Sequence, residues 1–220
     1  MDSVKLSSDD WPYLYLKGPF LPKLHLCIML VILILFIAAD MTSLKVGKKT
    51  LPHFFFLGAA FLLLQFQNIS KASLLFGSTW LVNSYTISII LFLILCANIY
   101  VAKIKSRMRN LRLYYILLAA SIIINYLLPL RLFNLLTIYW QKMLISNLVL
   151  NLPVFFAGII FAHSFSYAKK KNIALGSNLL GAMIGGMLES ASFILGIKAL
   201  LLVALGLYLL SYVFRGSRGT

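Results

Sequence analysis

Acidic residues are scarce in this sequence. Five occur in 220 positions, against 20 lysines and arginines. Asp2, Asp9 and Asp10 fall within the first ten residues, and only Asp40 and Glu189 follow. Paired carboxylates for general acid–base work or for a hard-metal site are therefore out of reach. So is a Ser-His-Asp arrangement deep in the chain. Cysteine is scarcer still: Cys27 and Cys96 both sit in apolar runs, where they act as small hydrophobes and not as a disulfide or metal pair. No HExxH spacing, His/Cys cluster or glycine-rich strand–turn–helix is present. No linker, low-complexity tract or second soluble domain is evident either. These absences point away from an enzyme, and neither a metal nor a cofactor is expected.

What is present is oil. The chain is 61% hydrophobic and 11% charged, with a mean hydropathy of +0.95. A water-soluble globule of this size cannot hide that much apolar surface. Seven apolar stretches stand out, at about 24–39, 51–70, 80–102, 113–130, 143–168, 173–195 and 198–214. Most have the roughly 20 residues that cross a ~30 Å hydrocarbon core as a helix. Lipid offers no partner to an unpaired backbone group, and the continuous runs exclude the alternation of a membrane β-barrel. The expected fold is an all-α integral membrane protein of about seven transmembrane helices in one bundle. Residues 1–22 form a polar, interfacial N-terminal segment, 23–214 the transmembrane domain and 215–220 a basic tail. The first apolar stretch starts late and is followed by Asp40, so it does not read as a cleaved signal peptide.

The net charge of +15 has a topological explanation. Most cations follow the odd-numbered stretches: Lys45, Lys48 and Lys49; 103–112; Lys169, Lys170 and Lys171; then Arg215 and Arg218. The opposite side holds fewer, Lys71, Arg131, Lys142 and Lys198 among them. The positive-inside bias thus places the C-terminus in the cytoplasm and the N-terminus outside, in a bacterial cytoplasmic membrane. The basic loops suit anionic lipid headgroups. They lack a reading element for nucleic acid.

Polar residues inside hydrocarbon are the candidate sites. Asn178, Gly181, Gly185, Glu189, Ser192 and Gly196 recur at helical spacing on one face. Gly181 and Gly185 form a GxxxG for close helix packing, and Gly58 offers a similar position. Glu189 is a proton- or cation-handling carboxyl or a buried structural hydrogen bond; both readings stand. With Asn178 and Gln65 it makes the candidate intramembrane polar site. Gln67, Asn68, Asn125, Asn147 and Asn151 add a polar interior that is glue or a pathway. FLGAAFLLLQ (56–65) and LLGAMIGGMLE (179–189) echo each other faintly, as repeats in transporters do. Trp11, Tyr13 and Tyr15 read as interfacial anchors. His25 and His53 sit at membrane borders, and His163 is deep enough to be a cofactor ligand or a packing residue.

Four stretches together, SSDDWPYLYL (7–16), HFFFLGAAFLLLQFQNIS (53–70), LLFGSTWLVNS (74–84) and ALGSNLLGAMIGGMLES (174–190), resemble the C-terminal membrane portion of bacterial membrane-fused spermidine synthase-like proteins. That resemblance implies helices distantly like half of a transporter bundle, with the aromatic preface at the seam to a soluble synthase domain. No such domain is read here, so aminopropyl transfer is not carried over. Gln65 stands where the family tends to have an acid, whereas Glu189 keeps the second acidic position. The charge bias puts the preface outside, in conflict with the family's cytoplasmic domain.

Three functions fit these features. The first is a non-enzymatic membrane subunit packing against other subunits or a second copy of itself. The second is a small transporter or channel component with a midplane site around Glu189. The third is the membrane partner of a separately encoded synthase-like domain.

Overall fold

The computed structural model describes residues 10–13, 20–41, 51–104 and 110–215, with α1 side chains only as far as Ile34, Leu33 excepted. Tyr15 and most of the basic-loop cations lie outside the described residues, and Asp40 is described in its backbone only. The described chain is helical and contains no strand. Its α-helices are α1 (Lys23–Met41), α2 (Pro52–Phe76), α3 (Trp80–Ile104), α4 (Leu111–Leu127), α5 (Tyr139–Tyr167), α6 (Lys171–Leu188), α7 (Ser192–Leu195) and α8 (Ala199–Phe214).

Four helical stretches are long and apolar enough to cross a membrane: α2, α3, α5 and Lys171–Leu195, which joins α6 to α7 through a 3-10 turn at Glu189–Ala191. Shorter apolar stretches cover Lys23–Ile32, α4 and α8. Seven spans were expected; among the described residues span length is reached by four. The limits of α4 and α8 have local causes. Pro129 drives Leu128 out of the helical region (ψ 114°), ending α4 after 17 residues, about 26 Å. Gly196 (φ 91°) breaks the chain before α8.

The centre of the bundle is α2, packed against α6, α8, α5 and α3. Its closest neighbour is α6, which runs parallel to it. A Cβ added to Gly181 would lie 2.7 Å from the Phe55 carbonyl carbon, and one on Gly58 would lie 2.8 Å from that of Asn178. Phe55 is three residues before Gly58, and Asn178 three before Gly181. The two glycines are thus exchanged by a local pseudo-twofold, each backbone resting on the turn before the other's glycine. Gly185 extends the seam against Ala59. Only hydrogen at these Cα atoms permits such an approach, as in small-residue membrane helix pairs.

The two halves of this pair also end alike. ASLLFG (72–77) and ASFILG (191–196) each finish with a glycine at φ 91° whose N–H bonds the serine carbonyl four residues back, at 2.9 Å in the first and 2.8 Å in the second. Positive φ is strained for residues bearing a Cβ, which accounts for glycine at both caps. The faint LGA echo of the sequence therefore lies face to face in the fold, within two helix–glycine–helix units.

Residues 10–13 of the aromatic preface are folded onto the second unit. Trp11 is 2% exposed, and its indole N–H donates to the Phe193 carbonyl at 2.7 Å. Tyr13 pairs its hydroxyl with Ser192, and its ring meets Phe193 edge-on. Asp10 accepts from the Ile197 N–H through its carbonyl (2.8 Å) and from the Lys198 N–H through its carboxylate (2.7 Å). The broken α7–α8 junction leaves these donors without helical partners, and Asp10 satisfies them from the far end of the sequence. The interfacial-anchor expectation for Trp11 is corrected accordingly: its ring is enclosed by protein.

Candidate functional site

The most unusual group in the bundle is Lys71. The apolar run was read as ending at residue 70, with Lys71 outside; instead α2 continues to Phe76 and carries Lys71 inside, 2% exposed. The reason is a matched defect in α4. In an uninterrupted helix the Asn125 carbonyl would accept the N–H of residue 129, but that residue is proline and has none. The Lys71 ammonium donates to that carbonyl at 2.9 Å. A buried backbone acceptor is thereby satisfied, and α2 is tied to the end of α4.

An ammonium has three donors, and a single hydrogen bond is found for this one among the described residues. No carboxylate pairs with it there, although Asp10 and Lys198 lie near enough to act on it electrostatically. Gln67 and Asn68 precede Lys71 by four and three residues and so share its helix face. Asn68 donates to the Asn151 side-chain carbonyl at 3.0 Å. Asn151 donates to the Asn147 carbonyl at 2.8 Å, and Asn147 to that of Met143 at 2.9 Å. The Asn125 amide donates to the Leu150 carbonyl at 2.8 Å, closing the network between α4 and α5.

That network is incomplete. Both polar atoms of the Gln67 amide, Oδ1 of Asn68 and of Asn147, and the Thr86 hydroxyl are buried with no partner among the described residues. All belong to the halves of α2, α3 and α5 nearest the Lys71 end. Buried amides seldom remain unpaired, because each unmet bond costs about 1–3 kcal/mol. Beside the same α4 break lies a cleft of about 270 Å³ lined by Pro129, Leu130, Arg131 and Lys198. Arg131 and Lys198 thus bring two further cations to that end of the bundle.

The residues expected to form a midplane site are not brought together. Glu189 is half-buried at the α6–α7 turn, and Asn178 lies eleven residues earlier, about 16 Å along the helix. Asn178 belongs instead to the glycine seam, level with Gly58. Gln65 is half-buried near the level of Glu189, and no hydrogen bond joins them among the described residues. His163 is half-buried, with its ring 4.9 Å from that of Tyr167. Among the described residues no group of three His, Cys, Asp or Glu side chains is placed to hold a metal. His53, read as a border residue, is buried: its Nδ1 and Ser211 Oγ are 3.0 Å apart, and that hydroxyl also meets Tyr115 at 3.2 Å.

Lys71 was the residue that sequence reasoning missed. The signal was available in the QNxxK spacing of 67–71 and in the Pro129 that follows Asn125 by four.

Comparison with known proteins identifies no relative: no family model matches the chain, and neither a curated protein nor a solved structure does.

Proposed function

We propose that this chain is a small membrane transport protein whose substrate site is the polar interior around Lys71, and that its substrate is a small anion. The observation that carries the reading is a 2%-exposed ammonium in a membrane-length helix with no carboxylate bonded to it among the described residues. An intramembrane charge requires compensation, and a bound anion supplies it. The unpaired Gln67 amide nitrogen and the Thr86 hydroxyl offer the neutral donors with which such sites finish coordination. Arg131 and Lys198 at the neighbouring cleft raise the local anion concentration at that end.

The alternative of a passive subunit loses its main support. Its small-residue face, Gly181 and Gly185, is occupied by the chain's own α2. Residues 10–13, the part of the preface that a separate synthase domain would have to dock on, are likewise engaged within the chain, by α7 and α8, which favours a different role.

The test is flux in proteoliposomes with a panel of chloride, phosphate and small carboxylates. At least one anion moves in the native protein, Lys71→Met abolishes that flux, and Glu189→Gln leaves it unchanged. Equal flux in the Lys71 variant, or loss only on substituting Glu189, refutes the assignment.

A further inference from the structure

A second cavity, of about 190 Å³, lies away from Lys71 in the opposite half of the bundle. Its walls are Leu57 and Phe61 of α2, Ile94 and Asn98 of α3, Ala157, Gly158 and Phe161 of α5, Asn178 of α6 and Tyr208 of α8. It lies between α3, which packs chiefly on α5, and α6, which packs chiefly on α2. Asn98, on its wall, is exposed. We propose that this cleft binds one anionic phospholipid from the leaflet on the basic side, with an ester carbonyl accepting from the Tyr208 hydroxyl.

Three independent features converge on that occupant. The first is an unmet donor: Tyr208 is 2% exposed, and its hydroxyl has no partner among the described residues. A buried phenol is normally paired, and a lipid ester carbonyl is an acceptor and nothing else. The second is depth. Leu57, Asn98, Phe161, Asn178 and Tyr208 each stand five to seven residues from a helix end on one side of the bundle, at Pro52, Ile104, Tyr167, Lys171 and Phe214. At 1.5 Å per residue that is roughly 8–10 Å inside, where the interfacial region of a bilayer gives way to hydrocarbon. Acyl esters sit at that boundary, above the tails that Leu57, Phe61, Ile94 and Phe161 would receive.

The third feature is charge. The same end of the bundle carries Lys103, Arg112, Lys169, Lys170, Lys171 and Arg215. A phosphate one headgroup length above the esters meets this rim, and a zwitterionic lipid would bring its own ammonium against the same cations, so the rim favours a lipid of net negative charge. The site is therefore built from a cationic rim, a polar collar and an apolar slot, in the order in which a phospholipid presents its own parts.

The test uses the full chain in vesicles of phosphatidylcholine with one fifth phosphatidylglycerol, extracted in mild detergent and weighed intact. The expected result is one retained phosphatidylglycerol per chain. Tyr208→Phe keeps the shape and deletes the donor, and retention of either lipid falls about fivefold. Changing Lys169, Lys170 and Lys171 together to Gln abolishes the preference for the anionic lipid without emptying the cleft. After exhaustive delipidation, Tyr208→Phe is at least as heat-stable as the native protein, because the lost hydroxyl bonded nothing within the chain. Equal retention of both lipids by native protein, unchanged retention in Tyr208→Phe, or recovery of a neutral non-phospholipid in place of the phospholipid overturns the proposal. A less stable delipidated Tyr208→Phe does so too, since it assigns the hydroxyl a structural bond.

Discussion

Replacing Pro129 tests why Lys71 is buried. If the ammonium compensates for the N–H that proline lacks, then restoring that N–H should make Lys71 dispensable to the fold. Pro129→Ala returns a donor to the position from which the Asn125 carbonyl would ordinarily be served. Lys71→Met alone has two opposing effects. It removes a 2.9 Å charge-assisted bond and strands a buried carbonyl, at about 1–3 kcal/mol, and it relieves the desolvation of the ammonium. The sign of the single substitution is therefore uninformative, but the coupling between the two is not. Desolvation relief is the same in both backgrounds and cancels in a double-mutant cycle, leaving the stranded carbonyl, about 1–3 kcal/mol. The assay is reversible unfolding in mixed micelles for native protein, both single variants and the double variant. Lys71→Met should be better tolerated in the Pro129→Ala background by that amount. Additivity within about 0.5 kcal/mol would refute the capping argument. Anion flux should still vanish in the double variant, because restoring the backbone does not restore the charge.

Gly181→Ala should force α2 and α6 apart by more than about 1 Å, because the added Cβ would overlap the Phe55 carbonyl oxygen, at about 1–3 kcal/mol in micelle unfolding. Gly58→Ala should do the same, and the double variant should cost clearly less than the two together, since one displacement relieves both; full additivity would deny the pseudo-twofold. Asp10→Ala should lower stability by about 1–2 kcal/mol and speed proteolysis ahead of α1, because it uncaps the Lys198 N–H; no change in either measurement would remove the clamp.

Helices were legible from apolar runs, and their lengths from the same runs only where no break intervened. Pro129 lies inside the stretch read as 113–130, so hydropathy alone carried α4 past its end at Leu127, whereas the stretch read as 198–214 matches α8 to within a residue. Gly58, Gly181 and Gly185 were legible as small positions, but not which helix would meet them, since a GxxxG carries no address. The address came from a second short match, LGA in 57–59 and 180–182, too common in apolar sequence to stand alone. Lys71 was illegible to a topological count, which assigns every lysine to a loop. Its interior place depends on Asn125 and Pro129, more than fifty residues away, and no periodicity within α2 reports them. Glu189 drew attention as a rare charge, yet rarity says nothing of depth, and the turn at 189–191 leaves it beside the break.

The two cavities follow from one asymmetry in an otherwise repeated plan. The units α2–Gly77–α3 and α6/α7–Gly196–α8 are related at their glycine seam, and symmetry carried further would have α3 cover α6 as α8 covers α2. The second of those contacts is extensive and the first is slight at most. α5 intervenes: Ala97 of α3 sits 3.0 Å from where a Cβ of Gly158 would lie, a small-residue contact that draws α3 toward α5 and away from α6. The gap left behind is the lateral cleft under Tyr208. The other end of α5 brings Asn147 and Asn151 to Asn68 and faces the broken α4, so the same helix supplies the polar interior around Lys71. Filling the α3–α5 contact, for instance with Gly158→Ala, should thus loosen α3 and alter the lipid cleft while leaving the Lys71 network intact, since nothing in that network leans on residue 158.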